Sequence, residues 1–526
     1  MEDSLDKSLI YLIPDWNENT ELEEDRVFTL SKFFSKEGYQ NKVLLTNPIP
    51  FLRYKLNGSG HTYNNIVRVF DVLQNIKTDM GHPLSLEDLA LPPDIDKIYT
   101  PSATLLVRKE KVFGKVSYND YGFMSKIRYL QSDGSFIDEV YDDRGFVSEK
   151  HYLNKKYEVY KIKYFNELGE NSVSQIGKDL IIEKKGNNFL KDKYTSLDEA
   201  MREVLHYVME ESTHKQSDHD ISIVTTTEKK IIQQTQGLAY KGKMIRIITD
   251  RLEEDREEAE LIVDTRTRMS KNKVQNYIPI FLPQLNLGVS DSTAQMQIYC
   301  KISSIHPQED KIVASMIQKV IKDEQLSLIF EIDDFKSMER AKFTQKLIIE
   351  SYFEVSIDST EYLKVEKYIT AKREKQLFTQ DVEAVRELQD SSDWSKYVGA
   401  VNANLRIDYI YQPDSAMIED ALNSARIYLD LEDKYNMLRH SKAISAGIPI
   451  ISKHTSDFIT DGKNGFTLKD SNDEKELEDF IDYFIYNLRN WNKALVHNVN
   501  IIEQHESDNI IRKWREIITK KYEEKN

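Results

Sequence analysis

Ala-Gly-Ile-Pro-Ile-Ile at 446–451, then Asp-Gly-Lys-Asn-Gly-Phe at 461–466, is the stretch on which the fold turns. Ahead of it, residues 425–429 form a largely hydrophobic strand that ends in the acidic Asp430-Leu-Glu-Asp433. Residues 435–445 have helix spacing, and Gly447 with Pro449 stops that helix. Residues 448–451 supply the next short strand. Asp461-Gly462 and Asn464-Gly465 make tight turns, because glycine adopts positive φ without steric cost. Strand, helix, strand and turn in this order build a parallel sheet. A helix start beside a strand's C-terminal end is where such a sheet binds anions. On pattern alone the segment reads either as a phosphate or sugar crevice or as plain scaffold.

Working outward, 526 residues exceed one ordinary core and predict two or three domains. With 40% hydrophobic residues the chain can bury them. Its formal charge of −16 argues against generic phosphate-backbone binding, so no nucleic-acid partner is expected. Cys300 is the only cysteine, which excludes an intramolecular disulfide and a thiolate metal cluster and fits a reducing compartment. Met-Glu-Asp-Ser-Leu-Asp-Lys at the start lacks the basic region of a signal peptide. No window approaches eighteen apolar residues, so no transmembrane segment is expected and the predicted location is cytoplasmic.

The fold class predicted is α/β. Residues 9–13 read as a buried strand, 25–34 as a helix, 41–45 as a strand and 66–74 as a helix, with 84–95 a turn-rich connection. From 105 to 165 the period changes to alternating aromatic and polar residues between turns about ten residues apart, an antiparallel meander. The polar stretch 170–193 reads as the return from it. Helix 197–212, strand 220–225, strand 244–248, an acid-rich helix at 251–259 and strand 260–264 follow. Further on come strand 294–303, helix 310–322, strand 327–331, a helix or strand at 343–351, and strands 405–410 and 425–430. Residues 360–395 are weakly periodic, and two helical runs close the chain at 477–491 and 505–522. No internal repeat is apparent. The expected domains are 1–100 and 196–290 as the two parts of a first Rossmann-like domain, 101–195 as an inserted antiparallel sheet, and 291–526 as a second Rossmann-like domain with C-terminal helices.

Familiar chemical signatures are missing. Asn57-Gly-Ser-Gly60 has neither dinucleotide nor P-loop spacing and reads as a surface turn. His214 and His219 lie near Asp218 and Asp220, but nothing brings a full ligand set together, so no metal and no cofactor are expected. No serine sits in a Gly-x-Ser-x-Gly elbow. In the meander, Tyr118, Arg128, Tyr129 and Tyr141 could line a binding face or simply pack a small sheet.

The 422–470 segment resembles the C-terminal domain of retaining glycosyltransferases of GT-B architecture. In that family a glutamate, Gly-Phe-Gly and a second glutamate precede the Gly-x-Pro turn. Aligned on Gly447-Ile-Pro449, the chain places Lys434 and Lys442 at the two glutamates, with Tyr435, Asn436 and Met437 at the Gly-Phe-Gly. The turn residues Gly447, Pro449, Gly462 and Gly465 match. The resemblance implies two Rossmann-like domains facing a cleft, and carboxylates that hold sugar or ribose hydroxyls. Lysine has three donors and no acceptor and cannot replace them, so no catalytic residue is assigned.

Over nearly its whole length the chain resembles the accessory Sec-system proteins of streptococci and staphylococci. The features are the acidic α/β body, the insert around Arg128-Tyr-Leu-Gln-Ser-Asp-Gly134 and Asp142-Asp-Arg-Gly-Phe146, and the degenerate transferase end. The insert is also similar to the extended β-sheet domain of glycosyltransferases that modify serine-rich-repeat adhesins. The resemblance implies a non-catalytic subunit partnered by two other accessory Sec proteins, a dedicated SecA motor with its SecY channel, and a glycosylated serine-rich-repeat adhesin as cargo. Membrane association would then be peripheral, through partners. An active glycosyltransferase with an atypical donor site and a carbohydrate-binding module are the alternatives.

Overall fold

The apolar residues 9–13 form an interior strand of a seven-stranded parallel sheet, because a strand apolar on both faces must be covered on both. Ser8–Ile13 pairs with Gln40–Leu45 on one side and with Asp220–Thr226 on the other. Ile66–Arg68 lies beyond the former; Lys243–Ile247, Glu260–Val263 and Asn276–Tyr277 extend the latter. This computed structural model describes residues 8–60, 63–183, 189–214, 220–238, 242–249, 259–290, 294–305, 309–470 and 473–519. Helix Arg26–Lys36 starts where the Asp25 side chain accepts from the Phe28 amide, and it buries Val27, Phe28, Leu30 and Phe34. The segment 66–74, expected to be helical, begins as the strand Ile66–Arg68 before helix Val69–Gln74. The two β-branched residues Ile66 and Val67 at the sheet edge outweigh the local helix pattern. The acid-rich helix expected at 251–259 falls on residues 251–258, outside the described residues.

The chain leaves this sheet after Gln74 and forms a ten-stranded antiparallel sheet from Asp96–Thr100 to Lys193–Tyr194 before Leu197–His214 returns it. The stretch 170–193 is therefore not a plain return: it adds Asn171–Ile176, Asp179–Ile182 and Lys193–Tyr194. Val173 and Leu180 are its buried apolar residues, too few to stand out from the polar background. Leu84, Leu86, Leu89, Leu91 and Ile95 of the turn-rich connection cover one face of the sheet, against Leu106, Val116, Met124, Ile127 and Tyr141. Arg144 is buried between Asp142 and Asp71, its Nε 2.7 Å from the Asp142 carboxylate and its Nη1 donating to the Thr78 carbonyl. The Gln74 side chain donates to the Ser148 and Phe165 carbonyls, so the sheet is tied to helix Val69–Gln74.

A repeat does exist here. Five hairpins turn at 119–123, 131–135, 142–146, 154–158 and 166–170 with one hydrogen-bond pattern. The first residue's amide donates to the carbonyl of the fifth, and the fourth residue's amide donates back to the first. This three-residue loop needs a left-handed residue in fourth place. Gly122, Gly134, Gly145 and Gly169 fill it in four turns, and Tyr157, at φ 64°, fills it in the fifth.

The second unit, Phe281–Ile510, is built on a six-stranded parallel sheet. Its order runs Ile407–Ile410, Leu326–Ile332, Met296–Ile302, Ala425–Asp430, Ile450–Ser452, Gly465–Thr467. The first unit comprises Met1–Ile280 and the end of the chain from Ile511, which thus groups with the first unit rather than the second. Helix Asp310–Lys322 buries Ile312, Val313, Met316, Ile317, Val320 and Ile321, the stripe its spacing foretold. The ambiguous 343–351 is the second half of helix Phe335–Phe353. The weakly periodic 360–395 is helical too: Thr360–Arg373, Thr379–Gln389 and the start of Trp394–Asn404. Only Tyr362, Val365 and Ile369 of the first are buried, a stripe too narrow to dominate its charged neighbours. The run 477–491 breaks into Glu474–Ile485 and Leu488–Gln504, where the Asn487 side chain caps the second helix through the Asn490 amide. The final run is helix Ser507–Thr519. Among the described residues no helix is long and apolar enough to cross a membrane.

Candidate functional site

In an open parallel sheet, ligands bind beyond the C-terminal strand ends where the strand order reverses. In the second unit that point lies between Met296–Ile302 and Ala425–Asp430, where Lys301 and Asp430 are opposite one another. In each of these strands, and in Leu326–Ile332 beside them, an apolar stretch leads into a charged residue near the end: Lys301, Glu331 and Asp430. All three are almost fully buried.

These charges are spent on one another. Lys301 Nζ lies 3.0 Å from the Glu331 carboxylate and 3.8 Å from that of Glu432, and also pairs with Asp333. Burial alone would lower the Lys301 pKa, but its three acidic neighbours raise it. Arg439 grips Glu331 with two bonds, Nη2 to Oε1 at 2.9 Å and Nη1 to Oε2 at 3.2 Å, and the Tyr299 hydroxyl donates to the same carboxylate. Asp430 Oδ2 faces His440 Nε2 at 2.6 Å and accepts from Ser452 Oγ at 3.1 Å; Oδ1 accepts the Glu432 amide. Burial pushes the Asp430 pKa up, yet the His440 hydrogen bond and charge outweigh it and hold the group below its ordinary value. His440 Nδ1 lies 2.9 Å from Ser456 Oγ, which the Tyr435 hydroxyl also meets at 3.0 Å. Glu432 is the exception: its Oε2 is buried with no hydrogen-bond partner. Burial and then the nearby Asp430 charge push its pKa up to about 8.

The residues singled out from sequence line the rim of this cluster without converging. Lys434 is exposed in the loop after Glu432. The Tyr435 ring meets His440 edge-on at 5.0 Å. Asn436 caps helix Met437–Ser445 by accepting from the Arg439 amide, which takes up one of the free donors an anion would use. Met437 is buried. Lys442, in the helix's last turn, is mostly covered and lies 3.3 Å from Glu419 on helix Ser415–Ser424, rather than reaching freely into water. Gly447 is left-handed at φ 79°, and a Cβ there would come within 2.5 Å of Leu495. Pro449 is buried and its carbonyl accepts the Tyr428 amide. Gly462 turns at φ 74°, and Gly465 lets its strand approach the Ile450 carbonyl, 2.1 Å from where a Cβ would stand.

In the antiparallel sheet, Tyr118, Tyr129 and Tyr141 share one face. Tyr118 meets the Thr104 hydroxyl at 2.8 Å, Tyr129 stacks near Phe113, and Tyr141 is buried and donates to Glu139. Arg128, next to Tyr129 in its strand, points to the opposite face and forms two bonds to Asp138. The register puts Arg128 on the other face from the tyrosines, of which Tyr141 is buried and Tyr118 is exposed. Among the described residues no group of three His, Cys, Asp or Glu could hold a metal; the His214 and His219 side chains are outside them. Asn57-Gly-Ser-Gly60 ends helix Leu52–Gly58 in a surface turn.

Lys301, Glu331, Arg439 and His440 were missed in the sequence, although a charged residue within an apolar strand run was a usable signal for the first two.

The two Rossmann-type sheets and the inserted antiparallel sheet define a protein of GT-B-like fold. The pneumococcal O-GlcNAc transferase GtfA, solved in complex with UDP and GlcNAc, superimposes with a TM-score of 0.63 at 12% identity, covering 97% of this chain and 98% of that one. The family model for the accessory Sec system proteins, the first of the Asp proteins, matches residues 10–521, and the chain belongs to that family. A member from Streptococcus gordonii is 23% identical over 98% of this chain and 96% of its own length. The Glycosylation Associate Protein (Gap123) complex from Streptococcus agalactiae contains a chain that matches with a TM-score of 0.71 at 19% identity, over 97% of this chain and 99% of that one. A structure of accessory secretory proteins 1, 2 and 3 from Streptococcus pneumoniae also gives a TM-score of 0.71, at 18% identity, over 97% and 98%.

Proposed function

We propose that the chain is a non-catalytic subunit of the accessory Sec export system, assembled with two other accessory Sec proteins. In this reading it serves the dedicated SecA motor and SecY channel in exporting a glycosylated serine-rich-repeat adhesin. It works in the cytoplasm and meets the membrane only through partners.

The observation that carries the non-catalytic part is the saturated charge cluster at the switch point. A nucleotide-sugar donor brings a diphosphate that needs free cations and hydroxyls that need free acceptors. Lys301 is held by Glu331, Asp333 and Glu432, and Arg439 by Glu331. Binding a donor would break buried pairs, and losing one partner of such a pair typically costs about 3–5 kcal/mol. Kinship with chains solved as three-protein assemblies supports the subunit reading.

Affinity capture from native cytoplasm, read by mass spectrometry, tests the assignment. Two accessory Sec proteins should copurify in near-equal amounts. Capture of the chain alone, with neither of them, would refute it.

A further inference from the structure

The chain enters the second unit along an extended strap at 284–289, whose hydrogen bonds run to one side. The Gln284 amide donates to Ser445 Oγ at 2.9 Å, and those of Asn286 and Gly288 donate to the Ser445 and Ala446 carbonyls at 3.2 and 3.0 Å. These carbonyls lie at the C-terminal end of helix Met437–Ser445, where a helix leaves its own acceptors open. The Val289 amide donates to the Asn423 carbonyl at 2.8 Å. Gly288 permits that approach, since a Cβ there would stand 2.4 Å from the same oxygen. The strap is thus held in place before anything binds to it, and the cost of ordering it is already met.

In an extended chain the backbone groups of alternate residues face opposite edges. With 284, 286 and 288 turned inward, those of Leu285 and Leu287 face outward, and neither amide meets an acceptor among the described residues. An unpaired edge of this kind is a template for a further strand. The side chains keep the same period: Leu285, Leu287 and Val289 share one side, and all three are exposed. Leu287 and Leu495 meet over Gly447, at 2.9 and 2.5 Å from where its Cβ would stand. From Leu495 the apolar surface continues along helix Leu488–Gln504 through the exposed Leu488 and Val496. Arg489 and Lys493 line the same depression. Among the described residues neither of these cations has an ion pair or a side-chain hydrogen bond.

Single exposed apolar residues are ordinary, but a contiguous row with uncommitted cations at its rim marks a binding surface. A helix laid there would satisfy its own backbone and leave the outward groups of Leu285 and Leu287 unpaired beneath it. An extended segment pairs them. Apolar side chains on one of its faces match the leucines, and carboxylates on the other reach the two cations.

We propose that the strap 284–289 and the flank of helix Leu488–Gln504 form a groove that captures an extended segment of a partner protein, one that alternates apolar with acidic residues and adds to the strap as a strand. The site goes beyond the export reading, for it uses none of the charge cluster and is defined by the chemistry of the segment it takes.

Fluorescence anisotropy of the full chain with a labelled peptide of alternating glutamate and valine, about six residues long as strands commonly are, reads the capture. The peptide should bind, and binding should weaken as salt is raised. It should weaken about tenfold in the double variant Arg489→Glu, Lys493→Glu, through the loss of two rim ion pairs. Leu285→Glu leaves the inward bonds of the strap in place and should weaken it comparably. A strand pairs through one edge only, so of two peptides N-methylated at the valines or at the glutamates, one should lose binding and the other keep it. The same result for both methylated peptides, equal binding by all the protein variants, or no binding to wild type overturns the proposal. So does self-association of wild type in sedimentation that Leu285→Glu abolishes, which would assign the groove to a second copy of the chain. Copurification of the two accessory Sec proteins is read separately, so failure of this site and failure of the export reading are distinct.

Discussion

At the switch point of the second unit's sheet, charged side chains are buried and satisfy one another; along the strap 284–289 of the same unit, apolar side chains stand exposed beside two unpaired cations. The first region has the location of a ligand site, but Lys301 and Arg439 are already engaged, and so are the carboxylates of Glu331 and Asp430. The second has no conventional location, yet holds apolar surface, backbone donors and cations free. Position in a fold marks where a ligand could bind, and only the state of the side chains shows whether anything is left to bind it.

The sharpest way to break this comparison is to disturb the cluster itself. Lys301→Met removes the buried cation shared by Glu331, Asp333 and Glu432, leaving Arg439 to hold Glu331, and should destabilise the protein by about 3–5 kcal/mol in urea unfolding. A change near zero would mean the pairs are not what holds the crevice closed.

Glu432 gives the next largest effect. Its folded pKa of about 8 stands above the ordinary carboxylate value, so the folded state holds a proton that the unfolded state has released. Stability from this group is fully present below the unfolded pKa and falls as pH rises toward 8, by at most about 1.4 kcal/mol per pH unit. Asp430, held below its ordinary value, loses its contribution only as pH falls below the usual carboxylate range, and so leaves the window from mildly acid to pH 8 clear. Glu432→Gln should flatten the slope between pH 5 and 8, as followed by chemical denaturation. An unchanged slope would contradict the assignment.

Away from both regions, at the 154–158 hairpin of the antiparallel sheet, the sign reverses. Tyr157→Gly relieves a left-handed side chain and should raise stability by up to about 1–2 kcal/mol, less what the stacking of its ring on Phe136 contributed. Clear destabilisation would make the ring a structural brace. The smallest effect is expected for Lys442→Ala, whose half-exposed pair with Glu419 is worth about 1 kcal/mol or less. A well-folded, assembled Lys442→Ala that fails in adhesin export would show that the crevice rim carries a specific contact.

Much of the fold was legible because burial writes its period into the chain. Residues 9–13 and 427–429 are apolar on both faces, and Asp310–Lys322 carries a full apolar stripe. Where few residues are buried the pattern fades, as in Thr360–Arg373 and in the strands of 171–194. The hairpin repeat was hidden by its exceptions: one turn opens with Gln131 in place of Asn or Asp, and another has Tyr157 in place of Gly. The cluster was hidden for another reason. Lys301, Glu331, Asp430 and Arg439 come from four elements, and only the sheet register brings them together. Lys434 and Lys442 drew notice by alignment, yet the residues that close the crevice are their neighbours Glu432, Arg439 and His440.

The most direct test of the central claim is release of free nucleotide from UDP-sugars by the purified full chain, with a glycosylated serine-rich acceptor present. The saturated cluster predicts release no faster than the buffer background, in wild type and in Lys434→Glu alike. Turnover above background that disappears in a folded Arg439→Gln variant would show that the crevice opens to a donor, and that the chain is an enzyme.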